Sequence, residues 1–204
     1  MNQVDKSRVP MYAFVFFTFL MSAIPGEAHL NSTGMGPFYD GLMHFLLSPE
    51  DIIPVLALAL LAGLRGAEFG RHTLFVLPSA WLLGSLFGLA AAAVKGNALV
   101  SAIWFLLLGG LLAANAKLSL RLTTALAALL GLYHGYLNGT GMGQSASAVV
   151  VLLGLVCAIF VLVALAAAFV VRLRAQWARI AVRVAGSWIA ASGILMLGWA
   201  VRTR

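Results

Sequence analysis

Acidic residues are scarce in this chain: six face thirteen lysines and arginines in 204 residues, a formal net charge of +7. Charged residues of both signs make up only 9% of the sequence, against about 25% in a soluble domain, which excludes a water-exposed globule. Cysteine is reduced to Cys157, inside an apolar run, so neither an intrachain disulfide nor a cysteine metal centre can be built within one chain. No Gly-x-x-x-x-Gly-Lys loop is present, which excludes nucleotide-driven chemistry of the P-loop kind. The basic surplus does not point to nucleic acid either. It falls between apolar runs, where lysine and arginine set membrane topology.

What the chain has in abundance is apolar length. Hydrophobic residues reach 62% and the mean hydropathy is +1.01, which places the chain among all-α, polytopic membrane helix bundles. Met1 to Arg8 is polar with two basic residues, residues 9–24 are apolar, and Pro25-Gly-Glu-Ala28 follows. This is the grammar of a signal peptide over residues 1–28, with an uncleaved first transmembrane helix as the rival reading. Cleavage after Ala28 makes His29 the mature N-terminus, whose amino group and imidazole form a bidentate metal ligand; otherwise His29 is a loop residue. Residues 29–204 are expected to form one helix-bundle domain.

Six transmembrane helices are expected in that domain, over residues 49–64, 73–94, 98–116, 122–137, 146–171 and 180–201, with the N-terminal segment as a seventh if retained. A charged loop is expected over residues 65–72 and a glycine-rich loop over 138–144. With the N-terminus cytoplasmic, Lys6, Arg8, Arg65, Arg71, Lys117, Arg121, Arg172, Arg174, Arg179 and Arg183 lie inside, and Lys95, Arg202 and Arg204 outside. The chain is expected to be a multi-pass protein of a bacterial-type cytoplasmic (inner) membrane, with its N-terminus cytoplasmic if the first segment is retained. The mature N-terminus is external if residues 1–28 are removed. The basic stretch 172–183 anchors that topology and meets anionic lipid, with Trp177 at headgroup level.

The chemistry gathers in Gly36-Pro-Phe-Tyr-Asp-Gly-Leu-Met-His-Phe-Leu-Leu-Ser-Pro-Glu-Asp51, which holds three of the six acids and one of the four histidines. Asp40 and His44 are four apart and share a helix face, a spacing at which carboxylate and imidazole can grip one cation. Ser48-Pro49-Glu50-Asp51 spells a helix start: serine at the N-cap, proline at the first helical position, acids against the positive dipole end. The pattern predicts a short broken or re-entrant helix near residues 36–48, then a membrane helix whose mouth carries carboxylates.

The second chemical stretch is Leu132-Tyr-His-Gly-Tyr-Leu-Asn-Gly-Thr-Gly-Met-Gly143. His134 and Asn138 share a face near the outer helix end, and Gly135 and Gly139 let a neighbouring backbone approach. A membrane histidine is a functional candidate by default; the structural alternative is a hydrogen bond that fastens the bundle. Met35, Met43 and Met142 would add soft sulfur for Cu(I), or serve as packing. Gly84 and Gly88 form a Gly-x-x-x-Gly helix contact. Glu68, Arg71 and His72 fall on the cytoplasmic side as a solvated group.

These residues resemble the HupE/UreJ family of membrane proteins, accessory to nickel hydrogenases and ureases and regarded as nickel permeases. That family has a histidine just after its signal peptide, then a pattern like His-Pro-x-x-Gly-x-Asp-His and a later His-Gly-x-x-His-Gly. The corresponding places here read Ala28-His29, His44-Phe-Leu-Leu-Ser-Pro-Glu-Asp51 and His134-Gly-Tyr-Leu-Asn-Gly139. Ser48 stands for the glycine, Glu50 for the aspartate, Asp51 for the second histidine and Asn138 for the histidine of the later motif. The site is therefore richer in oxygen and poorer in nitrogen, which leans toward harder ions.

The resemblance implies a permease for a divalent transition metal, nickel first, with copper, cobalt or zinc as alternatives. His44, His134, Asp40, Asp51, His29, Glu50 and Asn138 are its candidate ligands. An intramembrane metal-dependent hydrolase and a metal-holding assembly factor for a metalloenzyme are the competing functions. The expected partners are the lipid bilayer, the metal ion and a metalloenzyme maturation system, with a homo-oligomer left open.

Overall fold

The computed structural model describes residues 33–91, 94, 96–143 and 146–202. Residues 1–28, expected above to be a signal peptide or a first transmembrane helix, and His29 lie outside them. The described residues form helices and no strand: α1 (Pro37–Leu47), α2 (Pro49–Arg65), α3 (Ala67–Leu89), α4 (Ala98–Ala113), α5 (Leu120–Met142), α6 (Ala148–Arg172) and α7 (Gln176–Arg202). By length and apolarity α3, α6 and α7 each suffice to cross a bilayer, and α1 with α2 passes the same test as a pair bent by 73°, the geometry of a broken span or a re-entrant loop. The chain is a helical membrane bundle.

The bend follows from Ser48-Pro49. Ser48 is extended, with φ −99° and ψ 94°, as a residue before proline tends to be, and Pro49 opens α2 where no N–H is needed. Ser48 occupies the expected N-cap position, yet its hydroxyl does not cap α2. It donates instead to the His44 carbonyl at 2.6 Å, satisfying the frayed end of α1.

Two expected loops are largely helical. The charged loop over 65–72 shrinks to Gly66, whose φ of 121° lies where glycine is favoured; α3 starts at the next residue. Arg65 reaches across this corner to lie 5.2 Å from the Phe69 ring centre. Glu68, Arg71 and His72 are exposed on the first turns of α3 rather than on a loop. The glycine-rich segment after Asn138 continues α5 as far as Met142. Its polar side chains bond back onto their own helix, as Thr140 does to the Leu137 carbonyl at 2.9 Å, so burial there leaves no hydroxyl orphaned.

In lipid the helices gain little from hiding apolar surface from one another, so close van der Waals packing has to hold them together. Glycines supply it. A Cβ at Gly135 would strike the Trp81 carbonyl, one at Gly139 the Ser85 carbonyl, and one at Gly84 the Leu132 carbonyl, so α3 and α5 touch backbone to backbone. Gly41 of α1 and Gly154 of α6 do the same for a second pair, against Val151 and Phe38. The most central helix is α2, with 11 of its 17 residues buried, and α7 is the most peripheral, packed mainly on α4. Asp51 is thereby carried into the interior on the first turn of the innermost helix.

Candidate functional site

Where α2 begins, it faces the C-terminal half of α5, and four polar side chains close into one chain of hydrogen bonds. Asp51 Oδ1 lies 2.8 Å from His134 Nδ1, and Asp51 Oδ2 accepts from Asn138 Nδ2 at 3.0 Å. The same Nδ2 group donates to the His134 carbonyl at 3.0 Å, and Asn138 Oδ1 lies 2.9 Å from His44 Nε2. Asp51 and His134 are 7% and 3% exposed, so the bond between them is shielded from competing solvent, while the bonds through Asn138 and His44 are partly buried.

The proton positions follow from donor and acceptor capacity. A carboxylate only accepts, so the proton of His134 sits on Nδ1, and the amide of Asn138 turns its NH2 group toward Asp51. That leaves Asn138 Oδ1 to accept from His44, whose proton must sit on Nε2. In its neutral form each imidazole then holds one nitrogen lone pair outside the chain: Nδ1 of His44 and Nε2 of His134. His134 Nε2 is fully buried and has no hydrogen-bond partner.

Aromatic rings wall in this imidazole. Trp81 stacks on it with centroids 5.5 Å apart and planes 29° from parallel, and Tyr133 meets it edge-on at 5.2 Å. Trp104 stands 6.4 Å away, and Phe45 buttresses Trp81 at 6.1 Å. The face of an aromatic ring is electron-rich, so the stacked Trp81 stabilises positive charge carried by the imidazole.

Of the seven candidate ligands, His44, Asp51, His134 and Asn138 come together. Asp40 does not join them: its carboxylate accepts from the Thr33 amide and, at 2.7 Å, from the Thr33 hydroxyl, closing the turn that leads into α1. Glu50 is exposed on the turn beside Asp51. No three histidine, cysteine, aspartate or glutamate side chains gather into a metal-holding group among the described residues. The site presents one buried nitrogen donor held by a carboxylate, the arrangement in which a carboxylate orients a ligating histidine and raises its basicity.

The sequence reading missed the aromatic wall. Nothing in the spacing of Trp81 ties it to His134, 53 positions away in number, and the available signal was the pair of glycine motifs that bring α3 and α5 into contact.

The family model described as HupE / UreJ protein matches residues 17–196 of this chain. The chain belongs to the HupE/UreJ family. No curated protein and no solved structure matches it. HupE/UreJ proteins are associated with metal-ion handling, in transport or accessory roles. With its apolar helices, this HupE/UreJ chain is a multi-pass membrane protein.

Proposed function

We propose that this HupE/UreJ protein is an inner-membrane permease that takes up a divalent transition-metal cation, nickel first, through an outward-facing site centred on His134. The observation that carries this reading is the buried Nε2 of His134, free of any protein partner while Nδ1 is fixed by Asp51. Imidazole nitrogen suits nickel, copper, cobalt and zinc, and the Asp51 carboxylate lowers the cost of bringing positive charge into the bundle. Asn138 and His44 extend the same chain to α1, so the ion's nitrogen donors are positioned by both helices of the bent pair. Glu50, exposed beside them, adds negative charge at the mouth.

The positive-inside rule, applied to the ten basic residues assigned above to the cytoplasmic side, supports an outward-facing mouth. An inward-negative potential then favours uptake by about 2.3 kcal/mol per charge per 100 mV, and a divalent ion feels it twice. A facilitated path therefore concentrates the cargo without a nucleotide.

The test is elemental analysis, by mass spectrometry, of cells and of purified protein for nickel, copper, cobalt, zinc and iron. His134→Ala and His44→Ala are each expected to remove the accumulated metal while the protein stays abundant in the membrane. Undiminished accumulation in both variants would sink the site. Metal on the purified protein with no accumulation in cells would identify a metal-holding assembly factor instead.

A further inference from the structure

We infer that the basic end of the bundle carries a cleft for the phosphodiester headgroup of a single anionic phospholipid, built by Arg179 and Arg183 with Gln176 and Asn115. The cleft, about 210 Å³, lies between the end of α2, the turn after α4 and the first two turns of α7. Leu64 and Ile180 complete its lining. Gln176, Arg179, Ile180 and Arg183 follow the i, i+3, i+4, i+7 spacing, so they present one face of α7 to it.

Both arginines are held in place by backbone rather than by acids. Arg179 donates from Nη2 to the Leu64 carbonyl at 3.2 Å, and Arg183 from Nε to the Ala113 carbonyl at 3.0 Å. These carbonyls belong to the last turns of α2 and α4, where helices leave acceptors unpaired. One donor of each guanidinium is spent this way and the other N–H groups stay available, since a guanidinium carries five. Among the described residues neither arginine is paired with a carboxylate. Arg179 and Arg183 sit one helical turn apart on α7 and line the same cleft, and guanidinium groups are suited to phosphate oxygens.

The choice of ligand follows from size and place. The cleft is smaller than the roughly 300–1,000 Å³ of a site that swallows a whole small molecule. A headgroup whose tails remain in the bilayer needs no more, and the apolar Leu64 and Ile180 suit its first carbons. Trp177, 74% exposed beside Gln176, fits the headgroup level of a membrane. The cytoplasmic leaflet, where the positive-inside assignment puts this end, is the one that holds anionic lipid. A bound headgroup would tie α7 to the end of α2, which α7 otherwise touches only slightly.

The experiment is native mass spectrometry with thermal unfolding of the full chain in neutral detergent. Phosphatidylglycerol, phosphatidylcholine and glycerol 3-phosphate are titrated separately. Wild type is expected to retain one phosphatidylglycerol and to be stabilised by it over phosphatidylcholine. The variant R179Q/R183Q is expected to bind it more weakly by about fivefold per arginine, and R172Q/R174Q, with the same charge loss outside the cleft, to bind like wild type. Ile180→Trp fills the cleft without removing charge and is expected to lose retention as well, which keeps the test decisive if R179Q/R183Q does not fold. Equal binding of both lipids by wild type would overturn the inference in favour of lipid association that ignores headgroup charge, and equal losses in the two double variants would overturn it in favour of diffuse electrostatics. Stabilisation by glycerol 3-phosphate matching that by phosphatidylglycerol would overturn the lipid assignment in favour of a soluble phosphate.

Discussion

Asp51 and Glu50 are neighbours with opposite fates, and the difference is about 100° of rotation around α2. Asp51 turns inward onto His134 and Asn138; Glu50 stays exposed. Replacing Asp51 by asparagine tests what its charge does. One of its two acceptor oxygens becomes an NH2 donor, so it must oppose either His134 Nδ1–H or the Asn138 amide, at a cost of about 1–3 kcal/mol. The inexpensive escape is for His134 to move its proton to Nε2 and accept at Nδ1, which removes the free lone pair. Asp51→Asn is therefore expected to shift the His134 tautomer, read by nitrogen NMR of labelled histidine, and to lower metal accumulation about 10–100-fold at normal membrane abundance. An unchanged tautomer with unchanged accumulation would remove Asp51 from the site. The identity of these polar residues was legible in the sequence. Their pairing was not, because Asp51 and His134 are separated by 83 positions and belong to helices whose relative rotation no local pattern encodes.

At the scale of helices, the site depends on how closely α3 lies against α5. His134 is stacked on Trp81, and the next residue, Gly135, has no room for a Cβ beside the Trp81 carbonyl. Gly135→Ala is expected to separate the pair and destabilise the protein by about 1–3 kcal/mol, seen as a lower unfolding temperature and weaker accumulation in membranes. Gly141, in the same helix, has nothing within 4 Å of an added Cβ. Gly141→Ala is expected to be neutral or slightly stabilising through helix propensity, which makes it the control. Equal unfolding temperatures for the two variants would refute the glycine-contact account. The Gly84/Gly88 and Gly135/Gly139 motifs announced close packing in the sequence, but not that they pack against each other. The bend at Ser48-Pro49 was also legible, because proline restricts the residue before it wherever it occurs. The loops expected at 65–72 and 138–144 were misread because polarity and glycine content suggested coil, whereas membrane packing keeps such backbone helical to satisfy its hydrogen bonds.

At the scale of the whole molecule, the proposed uptake requires that the His44–Asn138–Asp51–His134 end face outward and the arginine-rich end inward. In a background carrying Cys157→Ala, cysteine placed at Asn97, at the start of α4, is expected to react with an impermeant thiol reagent on intact cells. Cysteine at Lys117, between α4 and α5, is expected to react only after permeabilisation. The reverse pattern would place the mouth in the cytoplasm and turn the proposed importer around.

The sequence by itself determined the class of molecule, an all-helical membrane bundle, along with its helix break at Ser48-Pro49 and the small set of polar residues inside it. These follow from composition, from apolar run length and from proline and serine chemistry, all of which act within a few residues. The tertiary structure decided which of those polar groups meet. It tied Asp40 to Thr33, left Glu50 exposed, and joined Asp51, Asn138 and His44 to His134 behind a wall that includes Trp81. Helical periodicity fixes the angle of a side chain about its own axis; only the contact of one backbone with another fixes what that side chain faces.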